Sequence, residues 1–115
     1  MTPLDQILAH ADVARLAVRL AASAGRTMEF EGPRRGAAIV LILRPASHGE
    51  PELLLIKRAE FDQDPWSGHI ACPGGRMDPG DRDLEQTAVR ETWEETGIDL
   101  ARDGRILGTL DDISP

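Results

Sequence analysis

The sequence predicts an α+β fold: a mixed sheet with helices packed on it, preceded by an N-terminal helix. Three observations predict it. Residues 3–24 are rich in Ala, Leu and Val and free of Gly. Two short apolar runs, Ala37–Leu43 and Glu52–Lys57, are separated by a Pro-bounded turn. A second helical stretch, from about Asp83 to Thr96, follows a Gly-rich loop. The order helix, strands, loop, helix, strand asks for helices covering a sheet.

The first helix rests on Leu4, Ile7, Leu8, Ala11, Ala14 and Val18, which recur at i, i+3 and i+4. Pro3 suits its first turn and Gly25 its end. Asp5 and Asp12 interrupt the apolar pattern, so the segment does not read as a signal peptide. Residues 25–36 carry Gly25, Gly32, Pro33 and Gly36 and read as a connector. Domain boundaries are expected at 1–27 for the helical segment and 28–115 for the main domain.

Ala37–Leu43 is apolar and β-branched at Ile39, Val40 and Ile42, which predicts a buried strand. Pro45–Pro51 makes the turn, and Glu52–Lys57 completes a hairpin. Gly68–Cys72 is a short strand running into Pro73-Gly74-Gly75. For the second helix, Asp83 is the N-cap, Gln86 completes a capping box and Gly97 is the left-handed stop. Arg105–Leu110 reads as a final strand.

The chain has 115 residues, one Cys and a formal net charge of −7. Its length fits one domain with a modest core. The lone Cys72 excludes a disulfide scaffold, and with no targeting signal it predicts a cytoplasmic setting. The apolar run Ala37–Leu43 is far short of a membrane span. The first 50 residues hold six Arg/Lys against five Asp/Glu; the remainder hold seven against fifteen. A nucleic-acid polymer needs clustered cations, so it is not the expected partner. An acidic half can still serve an anionic substrate when divalent cations lie between carboxylates and phosphates. An acidic surface that only maintains solubility is the plainer alternative.

The chemistry concentrates in Gly74–Ile98. Glu91, Glu94 and Glu95 stand at i, i+3 and i+4 on the predicted helix, on one face. Three like charges so spaced repel one another, and a divalent cation relieves the repulsion. Oxygen-only ligands suit Mg²⁺ or Mn²⁺. Arg90 can pair with a carboxylate or a phosphate. The Gly-rich turn lets backbone approach a phosphate closely. Taken singly, each of these features is also ordinary surface; their combination is what points to a site.

The run Arg90-Glu91-Thr92-Trp93-Glu94-Glu95-Thr96-Gly97-Ile98 resembles the second half of the Nudix box, Arg-Glu-U-x-Glu-Glu-x-Gly-U with U apolar. Thr92 departs mildly at the first U. Pro73-Gly74-Gly75 and Gly80 look like the loop that opens the box. The resemblance covers roughly residues 36–115. It implies an α/β/α sandwich and hydrolysis of a nucleoside diphosphate linked to another moiety. It also implies further strands and a closing helix after the box, so the domain is expected to continue beyond Pro115. An exposed sheet edge at Leu110 would then invite a partner strand.

Two departures stand in the loop. The family's Glu falls at Asp81, and eight rather than seven residues follow before Arg90. Asp81 or Asp83 would take the Glu's place. Upstream, Arg58-Ala59, Gly68 and Pro73-Gly74-Gly75 look like the coenzyme A pyrophosphatase branch. That branch also has a later Arg and a Phe, which Gln63 or Asp64 and Cys72 replace here.

By resemblance, Glu91, Glu94 and Glu95, with the Gly74 carbonyl, would hold Mg²⁺ or Mn²⁺. A water acidified by the cation attacks a phosphorus, and one of these glutamates takes its proton. Glu94, Glu95 and Arg90 form the catalytic set, with Arg90 orienting Glu91 or a neighbour. Arg58, Gly74 and Gly75 would contact the substrate, Arg58 offsetting phosphate charge.

Other residues carry weaker signals. His69 fits a structural or substrate-edge role, because no second His or Cys matches its spacing. Cys72 lacks a neighbouring base. Trp66 packs in its loop or stacks on a base or pantetheine, and Trp93 covers the helix flank. Asp111-Asp112 read as a turn or as added acidic ligands. The N-terminal helix packs on the core or makes a homodimer contact. Coenzyme A leads as substrate, with ADP-ribose-like compounds and oxidised nucleotides behind it. A non-catalytic binding module, or a fragment completed by exchange with a second chain, are the competing readings.

Overall fold

A computed structural model describes residues 1–23, 25–27, 36–60, 62–65 and 67–113. The N-terminal segment forms two helices rather than one. Helix α1 spans Pro3–Ala9 and α2 spans Ala11–Ala22. His10 stands between them with extended backbone, φ −62° and ψ 131°. It ends α1 by donating its backbone N–H to the Ile7 carbonyl. It starts α2 by accepting the Asp12 N–H on its ring nitrogen at 3.2 Å. A side chain able to act as an N-cap thus breaks the helix although the i, i+3 and i+4 recurrence of Leu4, Ile7, Leu8, Ala11, Ala14 and Val18 continues past it. Thr2 and Asp5 close a reciprocal capping box at the start of α1.

The strands are β1 (Ala37–Ile39), β2 (Leu43–Pro45), β3 (Pro51–Leu53), β4 (Ile56–Lys57), β5 (Ile70–Ala71) and β6 (Gly74–Arg76). They pair antiparallel as β1–β6, β2–β3 and β4–β5. The α+β class holds, and every ladder among the described residues is antiparallel. The expected hairpin is β2–β3, with Leu43 opposite Leu53 and a tight turn closed by Ala46 N–H to Glu50 O at 2.8 Å.

Each long apolar run is split because its pairing partner changes. Residues 37–39 pair with β6, and Val40 N–H still reaches Pro73 O at 2.9 Å. From Ile42 onward the partner is the 51–54 segment, with Leu54 N–H on Ile42 O at 2.9 Å. The 52–57 run splits for the same reason, passing from β2 to β5. The first run is not a buried strand as expected: Ile39 is 71% exposed and Leu41 53%.

Helix α3 spans Leu84–Thr96, and a short α4 spans Leu100–Asp103. Arg105–Leu110 forms no strand, so no sheet edge stands at Leu110. Instead the stretch runs back along α2: a Cβ on Gly108 would meet the Leu20 side chain. Arg26 then fixes its far end, donating its N–H to Asp111 Oδ1 at 2.8 Å and accepting the Asp112 N–H at 2.7 Å.

Helix α3 packs on β6, β1 and α4, while α1 packs on β2 and α2. The buried apolar side chains among the described residues are Ile7 and Val13, with Pro73, Thr87 and Thr92 also fully enclosed. No helix is long and apolar enough to cross a membrane among those residues. The connector expected over 25–36 lies mostly outside the described residues, as does Trp66.

Candidate functional site

The site is built where β6 turns into α3. Gly74 opens β6 at φ 153°, a conformation that side chains with a Cβ rarely adopt. A Cβ there would also collide with the Ala38 carbonyl on β1, so the close crossing requires glycine. The neighbouring Gly75 leaves room for a side chain from α3: a Cβ on Gly75 would lie 2.5 Å from the Glu91 carboxyl carbon.

The loop from Met77 to Asp83 is tied down at several points. Met77 N–H bonds Gly36 O at 2.9 Å. Asp78 and Asp81 cross-brace the turn: Asp81 N–H reaches Asp78 O, and Asp78 N–H reaches Asp81 Oδ2, both at 2.9 Å. Asp83 then caps α3, accepting the Gln86 N–H at 2.8 Å. The Gln86 side chain reaches back to Arg82 N–H rather than to Asp83 itself, so the capping box is shifted by one residue. Gly97, at φ 75° and ψ 9°, stops the helix as expected.

Arg90 is the hub. Its Nε donates to Asp81 Oδ1 at 3.0 Å, and its Nη2 to Asp81 Oδ2 at 2.9 Å and to Arg76 O at 3.2 Å. Its Nη1 reaches Glu91 Oε1 at 3.0 Å and Glu94 Oε2 at 3.2 Å. Glu95 is held separately, accepting the Gly74 N–H at 2.8 Å. All three glutamates are therefore fixed around the glycine strand, two through Arg90 and one through backbone.

Of the two loop acids, Asp81 is the one bonded to Arg90, and Asp83 is used as the cap. The Asp81 side chain is 5% exposed and also accepts the Thr87 hydroxyl at 2.8 Å. Arg90 first, then the Asp78 N–H, hold its carboxyl well below the usual carboxylate range. The Arg90 guanidinium is raised above its ordinary value, chiefly by Asp81 and then by Glu91 and Glu94.

Thr92, at the mildly departing position of the box, is fully buried. Its hydroxyl finds no hydrogen-bond partner among the described residues. Its methyl group serves the buried apolar position while the oxygen is left unsatisfied.

Arg58 stands on a different ladder. Its backbone pairs with His69 and Gly68, and its guanidinium bonds Asp64 at 2.8 Å. The structure thus brings together Gly74, Gly75, Arg90, Glu91, Glu94 and Glu95, with Arg58 set outside that group. Asp111 is engaged by Arg26 through both backbone and guanidinium. The Arg26 N–H first, and then its side chain, lower the Asp111 carboxyl. Cys72 is a half-buried free thiol, and Trp93 is 56% exposed on the flank of α3. Helix α4 and the Asp81–Thr87 bond were missed from sequence. Asp99, which caps α4 by accepting the Ala101 and Arg102 N–H groups, was the available signal for the helix.

The donor set around β6 is made of oxygens alone, which fits a hard divalent cation. No three His, Cys, Asp or Glu side chains among the described residues already converge as ligands. Arg90 engages Glu91 and Glu94, and Gly74 engages Glu95, so a cation would be bound by turning these carboxylates from their present partners.

The chain matches the family model described as "NUDIX domain" over residues 32–115. It is 49% identical over 63 residues to an uncharacterized protein of Schizosaccharomyces pombe, covering 54% of this chain and 19% of that protein. It is 36% identical over 77 residues to the mouse mitochondrial coenzyme A diphosphatase NUDT8, covering 67% of this chain and 36% of that one. It is 42% identical over 71 residues to the uncharacterized Nudix hydrolase NudL of Yersinia pestis, covering 60% and 33%. The chain thus spans between about a fifth and about a third of the curated relatives it matches. The family match covers the glycine strand, the braced loop and the whole acidic helix, and the chain belongs to the Nudix family.

Proposed function

We propose that this chain carries the cation-binding site of a hydrolase that splits the diphosphate bond of a nucleoside diphosphate derivative, with a coenzyme A-like compound as substrate. The observation that carries the reading is the placement of Glu91, Glu94 and Glu95 around Gly74 and Gly75, organised by Arg90. Nudix hydrolases in general use divalent metal ions and act on small nucleoside diphosphate compounds. The coenzyme A reading draws support from Arg58-Ala59, Gly68 and Pro73-Gly74-Gly75, and from the name of the mouse relative. A cytoplasmic setting is kept from the lone thiol; the mouse relative is named as mitochondrial.

Glu91, Glu94 and Glu95 would hold Mg²⁺ or Mn²⁺, with the Gly74 carbonyl beside them. Such a cation supplies positive charge to the diphosphate and makes water more acidic. Arg90 gathers Glu91 and Glu94 against their mutual repulsion, and both carboxylates would turn from it onto the cation. Glu94, the more exposed of the two, would take a proton from water. Arg58, half-exposed beside Asp64, would turn to a phosphate and offset its charge.

A substrate panel tests the reading: coenzyme A, ADP-ribose and an oxidised nucleoside triphosphate, each with Mg²⁺ and with Mn²⁺, products identified by mass spectrometry. Cleavage of coenzyme A at the diphosphate is the expected result. Calorimetric binding with no product over hours would instead identify a binding module and overturn the hydrolase reading.

A further inference from the structure

We propose that His10 is a proton-sensitive latch: its neutral ring holds the start of α2 and the β2–β3 turn together, and protonation releases the helix while the turn stays bound. The latch lies in the helical segment and does not depend on the diphosphatase reading.

The two bonds of the ring fix where its proton sits. A backbone N–H can only donate, so Nδ1, which takes the Asp12 N–H at 3.2 Å, carries no proton. In a neutral imidazole the other nitrogen then carries it, and Nε2–H donates to Glu50 Oε2 at 3.2 Å. The ring is 18% exposed, so these two bonds account for most of its polar surroundings. His10 separates α1 from α2, and its carbonyl takes the Ala14 N–H that opens α2. Glu50 closes the hairpin turn, where its carbonyl takes the Ala46 N–H. One ring thus ties the helix junction to the hairpin.

An added proton sets the two bonds against each other. Imidazolium has two donors and no acceptor. The Asp12 N–H would then face another N–H, and a positive ring would stand at the positive end of α2. The bond to Glu50 is kept and becomes charge-assisted. The ring therefore gives up the helix and stays on the turn.

The other charged groups nearby are already engaged. Asp12 pairs with Arg15, Asp5 accepts the Thr2 N–H at the start of α1, and Arg44 on β2 pairs with Glu52. His48 lies in the same turn, and its Nδ1 accepts the Glu50 N–H at 3.3 Å. A proton on His48 would loosen the turn, whereas one on His10 would loosen the helix. The first turn of α2 carries the buried Val13, and Leu20 near its far end lies against Gly108. Fraying α2 would therefore weaken the support of the stretch that follows α4.

The test follows amide exchange and ring ¹⁵N shifts by NMR in the full chain at about pH 8 and about pH 5, the range over which histidine changes charge, with exchange corrected for its intrinsic pH dependence. At the higher pH the His10 ring should be the Nε2–H tautomer. At the lower pH, protection of the Asp12 and Ala14 amides should fall by about fivefold, the usual effect of losing a helix cap. His10→Asn keeps a cap that does not titrate, so its α2 protection should be the same at both pH values. His48→Asn should retain the wild-type loss. An Nδ1–H tautomer at the higher pH, undiminished α2 protection at the lower pH, or an equal loss in H10N overturns the proposal. Should H10N not fold, the wild-type tautomer and H48N decide: a pH response that vanishes in H48N assigns the proton to His48 and also overturns it.

Discussion

Gly75 and Glu91 are in contact in a way only glycine permits: a Cβ on Gly75 would stand 2.5 Å from the Glu91 carboxyl carbon. The strand residue and the helix carboxylate therefore define one wall of the site together. Gly75→Ala should displace the Glu91 carboxylate, the movable end of a flexible side chain, and leave the backbone in place. Mn²⁺ affinity by calorimetry should fall by about tenfold, while the circular dichroism spectrum is unchanged. Wild-type affinity in G75A would show that Glu91 does not need this position.

Thr92 should be replaceable with gain. Its hydroxyl is buried without a partner, and an unsatisfied buried polar group costs about 1–3 kcal/mol. Thr92→Val keeps the shape and removes that group. Thermal unfolding should shift up by a few degrees, the scale of about 1 kcal/mol in a domain of this size. A lower Tm would mean that a bound water satisfies the hydroxyl.

Stability should depend on pH through Asp81. Its carboxyl is lowered from an ordinary value of 3.8, chiefly by the Arg90 side chain. A depressed carboxylate contributes stability that is complete above the unfolded value and is lost as pH falls toward the folded one. Wild-type Tm should therefore drop more steeply than that of Asp81→Asn below about pH 4. Parallel Tm curves for the two proteins would contradict the pairing.

Much of this was legible in the sequence because it is local. Asp83 as cap, Gly97 as stop and the glutamate spacing are one-helix properties, and they appear at the expected residues. The β2–β3 hairpin was also local, set by the Pro45–Pro51 turn. What was not legible depends on partners distant in sequence. The split of 37–45 arises from a change of partner between residues 73–76 and 51–54, which an apolar run does not encode. Arg105–Leu110 has strand-like composition but meets α2 and Arg26 rather than a sheet edge. The break at His10 hides because histidine reads as an ordinary helix residue until its ring accepts the Asp12 N–H. In the site, the different partners of Asp81 and Asp83, Arg90 for one and the Gln86 N–H for the other, depend on the loop's path, which their spacing does not encode.

The central claim is tested most directly by comparing wild type with Glu94→Gln on coenzyme A, with Mg²⁺ and with Mn²⁺. Glu94 is exposed and touches Arg90, so the substitution should leave the fold and Tm intact. The account predicts diphosphate cleavage by wild type and a loss of about a hundredfold or more in kcat in the variant. A Glu94→Gln chain that turns over at the wild-type rate would contradict it.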